Sequence, residues 1–331
     1  MKNKLLILCP GRQTYLVTLF EKYFDVYIGD NAQTTLDTYY NLPSVKMPRY
    51  DSESYLRILT DYIQKNSIEF LVTLSDVEVV LLTKNESVFT RLNCKLIALP
   101  YDMAYACLDK YLFAKVLSKN NIDTPKTYIK PNEVLSDIER RILKLPIIVK
   151  NRWGMGSRGL MVIKTMEELS DCISNISTVK APSFFGNVSD AEYSLVFQEL
   201  IPGQEYGIDV VNDINHQYYT HLLKKKIEMR GGETDIAQIT ELEEAKELAV
   251  KISSTFKHIG NLDCDFIYVD KRCYVIDINP RFGGGYMFSS YTGLNVPELL
   301  SKWINKEEVL EFTPKNIGKI YRKITNLIEI K

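Results

Sequence analysis

No surplus of charge of either sign marks this chain. Its 331 residues carry 41 Lys plus Arg against 42 Asp plus Glu, a formal net charge of -1. That balance excludes a broad basic field for a nucleic-acid backbone or an anionic membrane, so any phosphate must be held by a local site. The six cysteines, at 9, 94, 107, 172, 264 and 273, form no CxxC pair and fit no zinc module. Scattered through a chain of this length, they suit a reducing compartment, most of them as small core residues. His216, His221 and His258 show no metal-ligand spacing and are assigned to structure. Long apolar runs are missing too. Leu5 to Cys9 ends at Pro10-Gly11, too short for a signal-peptide core and far too short to span a bilayer. A soluble, cytoplasmic protein is expected, with neither nucleic acid nor membrane as partner. The sequence has no internal repeat and no low-complexity tract. What it does have is ordinary globular material, 45% hydrophobic and 25% charged, enough for a sizeable core and incompatible with disorder as the main state.

Three stretches follow one another. Residues 1–105 alternate strand and helix signals: a strand over Leu5–Cys9, a helix through Leu16, Leu19 and Phe20, a strand at Val26–Ile28, a helix through Leu56, Leu59 and Ile63, a strand at Phe70–Leu74, a helix over Val79–Leu82 and a strand at Leu96–Leu99. This alternation predicts an α/β, Rossmann-like domain with a parallel sheet. Its first turn, Cys9-Pro10-Gly11-Arg12, lacks the second and third glycines of GxGxxG, so a dinucleotide site is weakly supported. Asp30 is a turn or cap residue in that reading and a ribose contact in the rival one. Residues 106–193 read as a small α+β lobe, with a helix from Asp109 to Asn120 and strands at Thr127–Ile129, Pro146–Lys150 and Leu160–Ile163. Residues 194–310 read as a larger lobe, with strands at Leu195–Gln198, Glu205–Val211, Tyr218–Lys225, Leu262–Val269 and Cys273–Ile278. One helix interrupts them, its stripe formed by Leu242, Ala245, Leu248, Ala249, Ile252 and Phe256. The tail, 311–331, is weakly patterned, with an edge strand expected near Ile320–Ile324.

Three segments carry chemistry. Leu262 to Arg281 reads as a hairpin turning at Asp270-Lys271-Arg272. With Val269 and Cys273 closing the turn, Asp265 faces Asp277, and alternation puts Asn279 and Arg281 on the same side. Two opposed carboxylates among buried apolar neighbours need a cation, and oxygen donors of this kind suit a divalent metal such as Mg²⁺. A surface hairpin with solvated acids is the alternative. Arg281 adds a donor fork for a phosphate or carboxylate. In the second segment, a strand ending at Lys150 opens into a glycine-rich loop, Gly154-Met155-Gly156-Ser157-Arg158-Gly159. Its backbone amides, with Lys150 and Arg158, could cradle an anion. No GxxxxGK[ST] occurs, and a plain hairpin loop is the other reading. In the third, Gln198 to Val210 is a strand, a Pro-Gly turn and a strand, carrying Glu199 and Glu205 beside exposed backbone. Such an edge could pair with an adenine, with Glu205 on ribose hydroxyls, or could simply be a solvated connector.

In this order the segments resemble the ATP-grasp superfamily, in particular the branch with carbamoyl-phosphate synthase large-subunit halves and biotin carboxylase. The residues that carry the resemblance are Asp109-Lys110, the Lys150 strand with GMGSRG, QELIPGQEYGIDV, and two acids twelve apart ending in DINPR. The resemblance implies a pre-ATP-grasp domain, then a two-lobed domain with ATP between the lobes. Lys110 and Lys150 would contact phosphates under the loop of Gly154, Gly156, Ser157 and Arg158. Glu199, Leu200 and Ile201 would meet the adenine and Glu205 the ribose. Asp265, Asp277 and Asn279 would hold Mg²⁺, with Mn²⁺ as an alternative ion. Lys226 is a further phosphate candidate, a solvated basic face being the other reading of Lys224-Lys225-Lys226. Arg281 and Lys150 are the expected catalytic pair, Arg281 stabilising the transferring phosphoryl group. Asp277 stands where the family commonly has Glu, and the sequence carries a single ATP-grasp unit.

The implied reaction is an ADP-forming ligation. A substrate carboxylate takes the γ-phosphoryl group, and an amine or ammonia then displaces phosphate from the acyl phosphate. The carboxylate is expected on Arg281 and Gly283-Gly284-Gly285, with Met229 to Thr234 as a mobile loop over the acceptor. Expected partners are a small-molecule carboxylate and an amine or ammonia, with a homodimer as candidate assembly. The alternatives are a non-catalytic, regulatory ATP-binding module on the same fold and, more remotely, a dinucleotide-dependent oxidoreductase.

Overall fold

The computed structural model describes residues 2–153, 159–175 and 193–324. The N-terminal sheet comprises β1 (Lys4–Leu8), β2 (Asp25–Asp30), β3 (Ser44–Lys46), β4 (Phe70–Thr73) and β5 (Lys95–Leu96), all parallel, in the order β3-β2-β1-β4-β5. The apolar run of β1 is buried on both sides. Leu5 and Ile7 join one cluster with Leu16 and Phe20, while Leu6 and Leu8 join another with Tyr55, Leu59 and Ile63. Such two-sided burial is what a strand between two helical layers requires. The chain winds away from β1 in both directions, so its topological switch point lies between β1 and β4. Loops at the carboxyl ends of those strands are where an open α/β sheet exposes its crevice.

The small lobe is a four-stranded antiparallel sheet of β6 (Thr127–Tyr128), β7 (Ile147–Asn151), β8 (Met161–Ile163) and β9 (Leu195–Glu199), ordered β6-β9-β7-β8. The large lobe holds β10 (Gln204–Asn212), β11 (Tyr218–Arg230), β12 (Glu233–Thr240), β13 (Gly260–Val269), β14 (Arg272–Asn279) and β15 (Ile320–Arg322), ordered β14-β13-β10-β11-β12-β15. The helix Glu243–Phe256 lays Ala245, Leu248, Ala249, Ile252 and Phe256 on one face of this sheet, as its spacing predicts. The other face carries the polar side chains described below. The expected edge strand is present as β15.

Several elements depart from expectation. β12 runs through Thr234, Asp235 and Gln238, whose polarity hides a strand that tertiary pairing with β11 and β15 supports. The expected mobile loop at Met229 to Thr234 is the tip of the β11–β12 hairpin, turning at Gly231 and Gly232, both at positive φ. A helix at Tyr101–Leu108, shortly after β5, was also not expected. Among the described residues no helix is long and apolar enough to cross a membrane, and all six cysteines are free thiols.

Candidate active site in the interlobe cleft

Two lysines enter from the small lobe, and a buried carboxylate fixes their spacing. Asp109 caps the helix Lys110–Lys119, its Oδ1 accepting from the amides of Tyr111 and Leu112 at 3.0 and 3.2 Å. The same side chain takes Arg152 through Nε (2.9 Å) and Nη2 (2.7 Å), and Trp153 Nε1 at 3.2 Å. The Lys110 amide donates to the Arg152 carbonyl at 3.1 Å. The start of the helix and the exit of β7 are thus pinned together, and Lys110 and Lys150 share one wall. Burial pushes the Lys150 ammonium down to about 8, with Asp277 opposing and Lys110 adding to the shift.

The β13–β14 hairpin brings the expected acids together by a different register. Val269 pairs with Arg272, not Cys273, and the turn is the two residues Asp270-Lys271, both at positive φ as a tight hairpin requires. That pairing alone would put Asp265 opposite Ile276. A β-bulge between Asp265 and Phe266 absorbs one residue of β14, so Asp265 does face Asp277, and Asp263 faces Asn279. The cation that compensates Asp265 here is Lys226, whose Nζ lies 2.7 Å from Asp265 Oδ2 and 2.7 Å from Glu205 Oε1.

Lys226 is therefore not on a solvated basic face. Lys224 and Lys226 both point inward, only 3% and 9% exposed, because alternation along β11 brings them to one side. Burial works against the Lys226 charge, but Asp265 and Glu205 outweigh it and raise its pKa. Burial raises Asp265 as well; Lys226 acts against the shift, and Asp263 adds to it.

Arg281 follows β14 and reaches the N-terminal domain. Its guanidinium meets Asp76, with Nε 2.8 Å from Oδ1 and Nη2 donating to Oδ2 at 2.9 Å, while Nη1 donates to the Phe282 carbonyl at 2.9 Å. Asp76 is the first residue of the helix Asp76–Lys84, at the carboxyl end of β4. Asp76 and Gln13, both at the switch point, line the same cleft, and neither was read from the sequence as functional. Asp263 was also missed, although alternation with Asp265 would have flagged it. Its Oδ2 accepts from Asn279 Nδ2 at 3.1 Å.

These groups line one cleft of about 680 Å³, within the usual range for a small-molecule site. Lys110, Lys150, Glu199, Ile201 and Glu205 are on its walls. So are Lys226, Asp265, Asp277, Asn279 and Arg281. Leu200, just beyond the end of β9, is not. Gly154, Gly156, Ser157 and Arg158 lie outside the described residues. Among the described residues no three His, Cys, Asp or Glu side chains converge as a metal site. Asp265, Asp277 and Asn279 thus offer two carboxylates and an amide, a set that fits Mg²⁺ when substrate phosphates complete the shell.

A parallel-sheet domain followed by two antiparallel lobes around a lysine- and aspartate-lined cleft defines the class. The ATP-grasp domain family model matches residues 107–285, more than half of the 331, and the chain belongs to the ATP-grasp family. Residues 5–97 match the PylC-like N-terminal domain. Among solved structures, the L-amino acid ligase of Bacillus licheniformis is similar at 19% identity and a TM-score of 0.66, over 92% of this chain and 74% of that one. The N5-carboxyaminoimidazole synthetase of Staphylococcus aureus complexed with ADP shares 16% identity at a TM-score of 0.71, over 94% and 80%. A biotin carboxylase from Campylobacter jejuni, in a βγ-ATP complex, shares 16% identity at a TM-score of 0.67, over 96% and 74%.

Proposed function

We propose that this protein is an ADP-forming, ATP-dependent carboxylate–amine ligase, with ammonia as the alternative amine, acting through an acyl phosphate. The observation that carries this reading is the gathering, on one cleft of an ATP-grasp chain, of Lys110, Lys150 and Lys226 with the opposed Asp265 and Asp277. Relatives of the same fold include a protein described as an amino acid ligase and others complexed with adenine nucleotides, which supports it.

In this reading Lys110 and Lys150 hold the phosphates, together with Gly154, Gly156, Ser157 and Arg158. Glu199, Leu200 and Ile201, at and just beyond the carboxyl end of β9, meet the adenine, and Glu205 turns from Lys226 to the ribose. Lys226 then shifts toward the phosphates. Mg²⁺, or Mn²⁺ in its place, held by Asp265, Asp277 and Asn279, supplies charge neutralisation at the phosphates when bound. Arg281 keeps one N–H on each terminal nitrogen, enough to steady the transferring phosphoryl group and the carboxylate oxygen that attacks it. Positioning and charge do the catalytic work, since phosphoryl transfer needs no protein nucleophile. The second step is attack by the amine on the acyl carbon, with phosphate leaving.

The accompanying organisation is a domain of residues 1–105, lobes of 106–193 and 194–310 and a tail of 311–331, in a cytoplasmic protein that pairs as a homodimer. The test is ADP release measured across a panel of carboxylates and amines. Turnover is expected to need Mg²⁺ and a carboxylate, and Lys150→Met should lower it roughly 100-fold. Release of AMP in place of ADP would overturn the reading.

A further inference from the structure

Charges at the nucleotide end of the cleft and at its N-terminal-domain end are balanced differently. At the latter, Arg281 is matched by Asp76, Lys224 by Asp209 at 2.5 Å, and Lys323 reaches Glu233 at 3.4 Å. Asp263 is left over. It is 7% exposed, and among the described residues it has no ion-pair partner, only the Asn279 amide. Four carboxylates there face three cations.

A second observation comes from the N-terminal domain. Gln13, at the carboxyl end of β1, lines the cleft, and its Oε1 is buried without a donor. The backbone between these acceptors is stripped of side chains. A Cβ on Gly283 would stand 2.0 Å from Asp263 Oδ2, and one on Gly284 would stand 3.1 Å from Glu233 Oε2. The loop Gly283-Gly284-Gly285 therefore presents two carboxylates at close range. A substrate carboxylate placed on it would meet like charge from Asp263 and Glu233. A ligand that brings a positive charge and several N–H donors satisfies every one of these groups.

We propose that this end of the cleft is a subsite for a primary ammonium group, with Asp263 as its counter-ion and Glu233 and Gln13 Oε1 as further acceptors. Which substrate presents the group rests on the ligase reading: it is either the amine substrate or the amino group of an amino acid used as the carboxylate. This places the anionic substrate elsewhere, nearer the free donors of Arg281.

Calorimetric titration of the full chain, saturated with Mg·ADP, with propylamine, glycinamide and propionate tests the subsite without turnover. The two amines should bind and propionate should not. Asp263→Asn should weaken the amines roughly tenfold or more, the worth of one charge-assisted hydrogen bond. Glu233→Gln, whose side chain is 70% exposed at a hairpin tip, guards against a folding defect and should weaken them by a smaller factor in the same direction. Propionate binding as tightly as propylamine, or amine affinity unchanged in both variants, would sink the proposal. ADP release then separates the sources. An Asp263→Asn penalty on KM for glycinamide assigns the group to the amine, and one on glycine but not glycolate assigns it to the carboxylate substrate. An equal penalty on every substrate counts against the subsite. Amine binding without ADP release from any pair would refute the ligase reading and leave the subsite standing.

Discussion

Lys150 illustrates how a single ammonium can be tuned by where it is placed. Bound phosphates favour its charged form, so with a pKa of about 8 in the empty cleft, nucleotide binding above that pH must take up a proton. ATP affinity should therefore fall above pH 8, by roughly tenfold per unit at most, and Lys150→Arg should flatten the profile. Direct titration of Mg·ATP between pH 7 and 9.5 measures both. Glu78 is a different case, 4% exposed and holding Thr73 Oγ1 at 2.7 Å. Burial raises its pKa against the hydrogen bond it accepts from Thr73. A carboxyl raised on folding binds its proton more tightly in the native state. Stability then falls as pH rises from the ordinary carboxyl value through the raised one. Glu78→Gln should accordingly gain Tm over the wild type at pH 8 and gain little at pH 4, as thermal unfolding at the two pH values will show.

At the scale of elements, the bulge in the β13–β14 hairpin decides which side chains meet. The two-residue turn and the extra residue in β14 offset each other, which is why counting from a longer turn also arrived at Asp265 opposite Asp277. The sequence predicts the pair correctly through a register that is wrong near the turn, because neither a bulge nor a tight turn leaves a clear mark on alternation. Deleting Ile276 removes the extra residue and leaves Asp277 opposite Asp265 and Asn279 opposite Asp263 in an uninterrupted ladder. Mg²⁺-dependent ADP release should then be retained, whereas Asp277→Ala, which removes one of the opposed acids, should lose it while the fold survives, a separation that circular dichroism beside the activity assay resolves. The β11–β12 hairpin teaches a related lesson. Its glycine tip was legible, but the strand beyond it was not, since Thr234, Asp235 and Gln238 are strand residues only by virtue of their neighbours.

Across the whole molecule, the Asp76–Arg281 pair ties the N-terminal sheet to the catalytic lobe. Removing one partner of a largely buried pair strands the other's charge, so Asp76→Asn should cost about 3 kcal/mol, the lower end for such pairs because both side chains keep some solvent. Denaturant unfolding measures that loss, and ATP turnover should fall with it as Arg281 loses its orientation. Periodicity and local motif were enough to reveal the parallel-sheet domain, both lobes and the helix Glu243–Phe256, and together with the ATP-grasp resemblance they pointed to ten cleft-lining residues from Lys110 to Arg281. These rest on short-range rules: alternation along strands, the helical repeat, and glycines beside a strand end. The partners of those residues lay beyond such rules. Arg152 meets Asp109 across 43 positions and Arg281 meets Asp76 across 205, and no spacing within one segment encodes a contact between two. Chain chemistry determined which groups could bind nucleotide and metal, while folding alone decided which of their charges were already spent and which were left for a ligand, because charge balance is a property of neighbours in space.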